Sequence, residues 1–354
     1  MINKTANKVR WGYFIFFVTN KCNARCKHCF YWKQLNSHQQ ELCLDEIRKI
    51  SQKAGRIQVL LLSGGEPFLR KDLFEIISLF IKNNGTKVVS IPTNAILTQE
   101  IIKVTQKLAN AYPKITFSIN PSIDNLYRKQ DEIRGIKNAF KCAIKTLNEL
   151  VKIKKVKDNV EVVVNTTISN LNYRDIDQIM EFFKKFNLTY HNFELLRGKP
   201  RKKSVYLPPL SEIRKIHQKV IRLRNYYIEK NNKSSTFAKL LERISVLGIT
   251  KYTQILKERV LDNKNFPFTC SAGKNIVVLE PNGEVRLCEL HQAIGNLKDY
   301  KYDLEKLLKN ERARQLFNLI KKCRCTHICF LNMSIAYDNK SLIKIPYYFS
   351  KWQS

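Results

Sequence analysis

Residues 19–30 read Thr19-Asn20-Lys21-Cys22-Asn23-Ala24-Arg25-Cys26-Lys27-His28-Cys29-Phe30 and directly follow the apolar run Tyr13 to Val18. The run is typical of a strand, so the C-x3-C-x2-C pattern stands at its carboxyl end. Iron–sulfur clusters normally take four cysteine ligands. Three thiolates on one cubane cluster leave the fourth iron open to a substrate or cofactor. Zinc sites favour paired cysteines, and no second close pair follows nearby, so the spacing favours an open cluster over zinc or core thiols.

A second motif ends another predicted strand. Val59-Leu60-Leu61-Leu62 reads as a buried strand and runs into Ser63-Gly64-Gly65-Glu66-Pro67. Two consecutive glycines at the carboxyl end of a strand allow the backbone to approach a ligand closely. The neighbouring carboxylate can accept hydrogen bonds from an ammonium group. Alone, such a pair of glycines indicates only a tight turn. The order of the two motifs and the distance between them are what indicate a function.

Together these motifs resemble the radical S-adenosylmethionine (SAM) superfamily over residues 10–200, which we interpret as the catalytic core domain. The resemblance implies that Cys22, Cys26 and Cys29 hold a catalytic 4Fe–4S cluster whose open iron binds the amine and carboxylate of SAM. It also implies further contacts with SAM, from Gly64, Gly65, Glu66 and Pro67 to the methionyl group, from Thr93, Asn94 and Ser118 to the sulfonium and ribose, from Asn165 and Arg197 to the carboxylate or ribose, and from Phe30 to the adenine. Asp124 and Arg134 are weaker candidates for positioning SAM or substrate.

Between Asp45 and Gly198, helical and strand patterns alternate, which is typical of parallel βαβ units. The helical patterns include Gly135–Lys155 and Tyr173–Phe186. In parallel barrels the chemistry lies at the carboxyl ends of the strands, where the candidate residues above fall. The predicted fold is therefore α/β, a partial (β/α)6 barrel of the TIM type followed by a helical connector and a small cysteine-rich β-hairpin domain. Six strands are predicted: Tyr13–Val18, Ile57–Leu62, Lys87–Ile91, Ile115–Ile119, Val160–Thr167 and Tyr190–Leu196.

Residues 201–265 form the predicted basic connector, which is also a candidate cover for the substrate. It begins with the charged run Arg201-Lys202-Lys203. Helical patterns cover Leu210–Lys230 and Thr236–Val246, and a polar break separates them at residues 231–235.

The last part of the chain holds a second group of cysteines. Residues 276–287 read as a β-hairpin with Asn282-Gly283 at the turn, which would bring Cys270 and Cys288 together. Cys323, Cys325 and Cys329 follow. These ligands also suit a zinc ribbon. However, two cysteines around a C-x12-G-x4-C hairpin, followed by clustered cysteines, resemble the SPASM extension of radical SAM enzymes, or its shorter twitch form, which binds auxiliary 4Fe–4S clusters.

Five cysteines suffice for one four-cysteine cluster with one to spare, whereas two such clusters need eight. We therefore predict one auxiliary cluster in residues 266–335, followed by a C-terminal tail at residues 336–354. Cys325 and Cys329, one helical turn apart, are the favoured pair, and Cys323 is the least secure ligand. His327 is expected at the surface or beside the cluster. Cys43 and Cys142 lie in helical patterns and are expected to be small core residues.

The formal net charge of the 354-residue chain is +33. Positive surfaces attract nucleic acid, anionic membranes and acidic peptides. The lysines are nevertheless spread along the chain, as a biased composition would produce, so a polyanionic or membrane-surface partner and a purely compositional origin both stay open. The chain shows no signal peptide, and its N-terminal apolar run is far shorter than the roughly 20 residues of a membrane span. We expect a cytoplasmic protein without a transmembrane segment.

The resemblance implies a radical SAM oxidoreductase that receives an electron from a donor such as flavodoxin or ferredoxin. It would cleave SAM reductively to a 5′-deoxyadenosyl radical, which abstracts hydrogen from the substrate. A peptide or protein side chain is the favoured substrate, because many SPASM enzymes mature peptides. One alternative is a small-molecule, lipid or sugar precursor. The non-enzyme alternative is a basic nucleic-acid-binding protein with structural zinc.

Overall fold

A computed structural model describes residues 10–231, 236–264 and 267–353 of the chain. Six parallel strands lie side by side in chain order, as the alternating pattern predicts. They are β1 (Trp11–Thr19), β2 (Ile57–Gly64), β3 (Val88–Thr93), β4 (Thr116–Pro121), β5 (Val160–Ile168) and β6 (Tyr190–Leu195). This is the predicted partial barrel, with its candidate residues at the carboxyl ends of the strands.

Helices connect the strands on the outside of the sheet. They are α1 (Leu44–Lys53), α2 (Leu73–Asn84), α3 (Thr98–Ala111), α4 (Tyr127–Arg134), α5 (Ala139–Val156) and α6 (Ile176–Lys184). The core forms where their apolar faces meet the strands. For example, the Phe80 ring of α2 lies 5.5 Å from that of Phe14 and 6.1 Å from that of Phe16, measured between ring centroids. β1 is buried along most of its length, as expected for a parallel strand covered on both faces.

The predicted single helix over residues 135–155 is wrong at its start. Helix α4 ends at Gly135, whose φ of 67° is left-handed, and α5 begins after Asn138, whose φ is 64°. Sequence patterning missed α4 because it is polar almost throughout and buries only one apolar side chain, that of Ile133. The predicted helix over 173–186 begins as a 3-10 turn at Tyr173–Asp175, and α6 ends at Lys184.

The connector is a pair of long helices, α7 (Leu210–Asn231) and α8 (Thr236–Leu261). The predicted second helix ended too early, at Val246. The helices are joined by hydrogen bonds from Gln254 Nε2 to the His217 carbonyl (2.9 Å) and between His217 Nδ1 and Glu258 Oε1 (2.7 Å). Most of the predicted polar break, residues 232–235, and the connector boundary at residue 265 lie outside the described residues.

The predicted β-hairpin joins the edge of the barrel sheet. Strand β7 (Ile276–Leu279) pairs with β1 in parallel, β8 (Glu284–Arg286) pairs with β7 in antiparallel orientation, and β9 (Ala293–Asn296) pairs with β8 in the same way. The sheet is therefore continuous from β6 to β9. Four helices complete the chain: α9 (Leu304–Leu307), α10 (Glu311–Ile320), α11 (Ile328–Ala336) and α12 (Asn339–Gln353). No helix in the described ranges is long and apolar enough to cross a membrane.

Candidate active site

The loop with the first three cysteines, residues 20–43, follows β1 and is fixed by the Gly-Gly-Glu turn. The Gly65 amide donates to the Thr19 carbonyl (2.8 Å), and the Glu66 amide donates to the Lys21 carbonyl (2.9 Å). Within the loop, the Asn36 side chain accepts from the Cys22 amide at 2.9 Å and donates to the Cys22 carbonyl at 3.1 Å. The end of β2 therefore determines where the cysteine loop runs.

The two glycines of the turn lie against the backbone of residues 19–21, where a side chain would not fit. A Cβ atom at Gly65 would lie 2.0 Å from the Lys21 carbonyl oxygen, and one at Gly64 would lie 2.4 Å from the Thr19 carbonyl oxygen. Gly64 also has a left-handed φ of 107°. A side chain at Gly65 would therefore first meet the cysteine loop, and the predicted approach of these glycines to a ligand stays a prediction.

Two further segments hold the same loop. At the end of α4, the carbonyls of Arg134 and Ile133 accept from the amides of Arg25 (3.0 Å) and Lys27 (2.9 Å). After β6, the Arg201 amide donates to the Cys29 carbonyl at 3.1 Å, and the Lys202 amide donates to that of Lys27 at 3.0 Å. The basic linker therefore borders the cysteine loop through its backbone.

The thiols of Cys22, Cys26 and Cys29 lie within electrostatic range of one another. Burial raises the pKa of Cys22 to about 12 and that of Cys29 to about 11, and the neighbouring thiolates raise both further. Binding of iron to all three would remove this mutual repulsion. Arg134 Nη1 lies 3.6 Å from Cys26 Sγ, so a buried cation is already in place beside the thiolates.

That cation is itself fixed by a carboxylate. Arg134 Nη2 lies 2.6 Å from Asp124 Oδ2, and both side chains are almost completely buried. His28 Nε2 is 3.7 Å from the same carboxylate oxygen. Asp124 and Arg134, the weaker candidates of the sequence, thus form a buried ion pair next to Cys26.

Glu66 is buried, with 1% of its surface exposed. Its carboxylate accepts hydrogen bonds from the Thr93 hydroxyl (2.7 Å), the Asn94 amide (2.7 Å) and the Phe68 amide (3.3 Å). Burial nevertheless dominates and raises the pKa of Glu66 to about 7, although these donors lower it. A carboxylate can accept about four hydrogen bonds, so one further donor, such as an ammonium group, can be accommodated.

A cavity of about 690 Å³ opens above and within the half barrel. Helices α7, α8 and α11 line it together with the inner faces of the strands, so they close the open side of the barrel. Except for Pro67, which is buried in a 3-10 turn, all the predicted SAM contacts line this cavity together with the three cysteines: Phe30, Gly64, Gly65, Glu66, Thr93, Asn94, Ser118, Asn165 and Arg197.

Arg197 is held by two carboxylates that the sequence did not indicate. Its Nη1 lies 2.7 Å from Glu194 Oε2, and its Nη2 lies 3.2 Å from Glu289 Oε2. The guanidinium also lies over the Phe30 ring, 4.8 Å from its centroid. Glu289 directly follows Cys288, and only this adjacency could have singled it out. The structure thus joins the first cysteine loop, β6 and the hairpin around Arg197.

Four of the five C-terminal cysteines, Cys270, Cys288, Cys323 and Cys325, are linked by electrostatic interactions between their thiols. Burial raises the pKa of Cys325 to about 12, and the nearby Cys270 and Cys323 thiolates raise it further. Cys288 is affected in the same way by Cys325 and Cys270. The charged neighbours of Cys329 are instead Glu194, Glu289, Arg197 and Lys257. Of the five, Cys329 is the one that lines the cavity.

This arrangement disagrees with the predicted pairing of Cys325 with Cys329. Helix α11 begins at Ile328, so the two residues do not share a helix. His327 stands before α11 and is buried, not at the surface. Its Nδ1 accepts from the Cys329 amide at 3.3 Å, and its Nε2 lies 2.7 Å from Glu289 Oε2. The capping contact turns Cys329 toward the cavity.

The remaining cysteines were wrongly expected in the core. Cys43 is exposed at the start of α1, and Cys142 is half-buried on α5. In the ranges that the structure covers, no three His, Cys, Asp or Glu side chains are arranged to hold a single metal ion. Each thiolate of a cubane cluster binds a different iron, so such thiolates lie further apart than the ligands of one ion.

Comparisons with known proteins give the family of the chain. A profile of the Radical SAM superfamily matches residues 16–183. A GTP 3′,8-cyclase of Clostridium botulinum is 26% identical over 314 residues, 85% of this chain and 87% of that protein. A probable GTP 3′,8-cyclase of Methanocaldococcus jannaschii is 30% identical over 223 residues, 59% of this chain and 68% of that protein. The match to Fe-coproporphyrin III synthase of Methanosarcina barkeri, at 25% identity over 173 residues, includes 48% of this chain and 40% of that protein.

A solved structure extends the likeness to the C-terminal part. Native anSMEcpe with bound AdoMet and Cp18Cys peptide superposes with a TM-score of 0.62 and covers 96% of both chains at 17% identity. At that identity the likeness shows a common fold, which includes the hairpin and the helices that follow it. With the matched profile and the 30% identical relative, it follows that this chain is an enzyme and belongs to the radical SAM superfamily.

Proposed function

We propose that this radical SAM enzyme modifies a peptide or protein side chain. The observation that carries the proposal is the single cavity bordered by the first cysteine loop, the Gly-Gly-Glu turn and Cys329 of the C-terminal region. The fold likeness to anSMEcpe bound to a peptide, over 96% of both chains, supports this substrate class.

The family implies a 4Fe–4S cluster and SAM, and the residues fit both. Cys22, Cys26 and Cys29 would hold the cluster, and Arg134 would offset the charge of their thiolates. Glu66 would accept a hydrogen bond from the amino group of SAM. When bound, cluster and SAM supply a 5′-deoxyadenosyl radical able to abstract hydrogen from a C–H bond. Helices α7, α8 and α11 would keep water from the reacting groups by closing the side of the barrel.

A small-molecule substrate is the second candidate. The observation in its favour is the 26% identity with a GTP 3′,8-cyclase, which runs over 85% of this chain. The two candidates differ in where the abstracted hydrogen comes from, and an isotope experiment can therefore separate them.

The test uses anaerobically reconstituted full-length protein with SAM and a chemical reductant. Cells grown on deuterated medium supply two extracts, one of peptides and proteins and one of small molecules including nucleotides. We expect deuterium to enter 5′-deoxyadenosine, measured by mass spectrometry, only with the peptide extract. Deuterium only from the small-molecule extract would overturn the proposal in favour of the second candidate.

We further propose that Cys270, Cys288, Cys323 and Cys325 hold one auxiliary 4Fe–4S cluster. Their mutual electrostatic proximity supports this ligand set over one that contains Cys329. Two four-iron clusters correspond to about eight irons per chain. Cys323→Ala is expected to lower the iron content to about four, and Cys329→Ala to leave it near eight. Iron analysis after anaerobic reconstitution measures both, with Cys142→Ala as control. The reverse result would restore Cys329 as the ligand.

SAM affinity is expected to depend on the ionisation of Glu66. Its pKa of about 7 means that the carboxylate is mostly neutral at pH 6 and mostly charged at pH 8. Because only the charged form is a strong hydrogen-bond acceptor for the amino group of SAM, affinity should rise about tenfold between these pH values. Anaerobic calorimetry with SAM measures this rise. 5′-Methylthioadenosine, which lacks the amino acid part of SAM, serves as control and should bind equally at both. Equal SAM affinity at pH 6 and pH 8 would contradict this role of Glu66.

A further inference from the structure

The connector helices bring two cations to the cavity that have no carboxylate partner. Lys257 of α8 is 4% exposed and lines the cavity. Among the described residues, no carboxylate oxygen lies within 4.0 Å of its Nζ, and no hydrogen-bond acceptor is in reach. Burial lowers the pKa of Lys257 from its usual value, and the charged groups around it are Glu194, Arg197 and the thiols of Cys329 and Cys325. Since Arg197 already pairs with Glu194 at 2.7 Å, that carboxylate is largely neutralised.

Arg224 of α7 is the second such cation. Its guanidinium lies over the Tyr190 ring, 4.0 Å from the centroid. Its Nη2 makes a long hydrogen bond, 3.4 Å, to Asn192 Oδ1, its guanidinium also interacts with the Tyr190 hydroxyl, and its buried Nε has no hydrogen-bond partner. No ion pair with a described carboxylate is formed, although Arg224 also lines the cavity. A planar guanidinium with free donors matches the two oxygens of a carboxylate or phosphate.

The other two cationic side chains that line the cavity, by contrast, form ion pairs. Arg134 is paired with Asp124, and Arg197 with Glu194 and Glu289. Of the other two carboxylates that line the cavity, Glu66 accepts hydrogen bonds from Thr93 and Asn94, and burial raises the pKa of Glu161. Burial of an ammonium group without a partner is energetically unfavourable. The cost falls when a ligand supplies the missing anion.

Lys257 and Arg224 lie at different positions along the pair of connector helices. The carbonyl of His217 accepts from Gln254, and its ring bonds Glu258, so Lys257 is level with residue 217 of α7. Arg224 lies two helical turns further along, about 10 Å at 1.5 Å per residue. The two cations are therefore separate contact points on one wall.

We propose that Lys257 binds an oxyanion of the substrate, a carboxylate or a phosphate, and that Arg224 binds a second one in substrates with two such groups. The inference rests on the proposed function for the location of the substrate and adds its chemical class. An acidic side chain of a peptide and the phosphate of a nucleotide are the two sources of such a group.

The test measures binding alone. Calorimetry of the reconstituted full-length protein with SAM uses glutarate as the carboxylate probe and pyrophosphate as the phosphate probe. We expect one equivalent of at least one probe to bind, and the tighter probe identifies the source. Lys257→Gln should weaken its binding at least tenfold, and Lys257→Arg should largely restore it. Lys215→Gln removes an exposed charge from α7 that pairs with Glu212, and should bind like the wild type.

Equal binding in the wild type and Lys257→Gln, or no binding of either probe to the wild type, would overturn the inference. Loss of about four irons in Lys257→Gln with unchanged probe binding would also overturn it, because Lys257 would then serve the auxiliary cluster. SAM cleavage is assayed on the same preparations. Failure of cleavage with intact, Lys257-dependent probe binding would refute the proposed function and support the oxyanion site.

Discussion

Simultaneous replacement of Cys22, Cys26 and Cys29 by Ala is expected to abolish reductive cleavage of SAM. The three thiols are the ones that lie together on the loop after β1, next to the Arg134 guanidinium. Without them no protein ligand remains for the catalytic cluster. The iron content should fall from about eight to about four per chain, the content of one cluster. Quantifying 5′-deoxyadenosine by chromatography and iron by a colorimetric assay measures both effects.

The control is Cys43→Ala, because Cys43 is exposed and stands apart at the start of α1. It should keep full cleavage and full iron content. Cleavage that persists in the triple variant would refute the assignment of these cysteines. An unchanged iron content would show that the clusters are held elsewhere.

Gly65→Ala is expected to impair SAM binding and iron content almost as strongly as the triple cysteine replacement. The new Cβ would lie 2.0 Å from the Lys21 carbonyl oxygen and 2.6 Å from its carbon. Backbone cannot yield as a flexible side chain can, so the cysteine loop must move. The Glu66–Lys21 hydrogen bond lies at the same point. We therefore expect SAM binding and about four irons to be lost together, as measured by calorimetry and iron analysis.

Gly85→Ala is the matched control. Gly85 ends α2 with a left-handed φ of 61°, and its added Cβ would touch only Arg56 atoms at 3.8 Å or more. The strain of about 1–2 kcal/mol should lower stability without affecting iron. If Gly65→Ala kept its iron and lost only SAM affinity, the result would contradict displacement of the cysteine loop and support the interpretation in which the glycine admits a ligand.

The fold was predictable because its strands are short apolar runs at regular intervals. A parallel strand covered on both faces, such as β1, leaves that mark in any sequence. Helix α4 leaves none, since it buries Gln130 and Arg134 beside a single apolar residue. Its burial depends on partners, Asp124 and the cysteine loop, that patterning along a helix cannot detect.

The candidate site was predictable only in its local motifs. Cysteine spacing indicated both groups of thiols, and the Gly-Gly-Glu-Pro string indicated the end of β2. The neighbours of Arg197 come from different parts of the chain, and no spacing rule joins Glu194 to Glu289. Likewise, the sequence does not distinguish Lys257 from the many other lysines of this basic chain, and only its burial in the structure does. The choice between Cys323 and Cys329 depends on where α11 begins.

The seam between β1 and β7 has a consequence for how the protein is made. Residues 13–16 emerge early in synthesis, but their partners on one edge, residues 276–279, emerge only after the whole barrel and connector. Until then this edge of β1 is unpaired, and unpaired strand edges tend to associate with other chains. The cysteine loop also cannot complete its contacts early, because residues 201 and 202, which bond its backbone, follow β6 in the chain. A nascent chain should therefore accept its catalytic cluster late and depend on chaperones before β7 is added to the sheet.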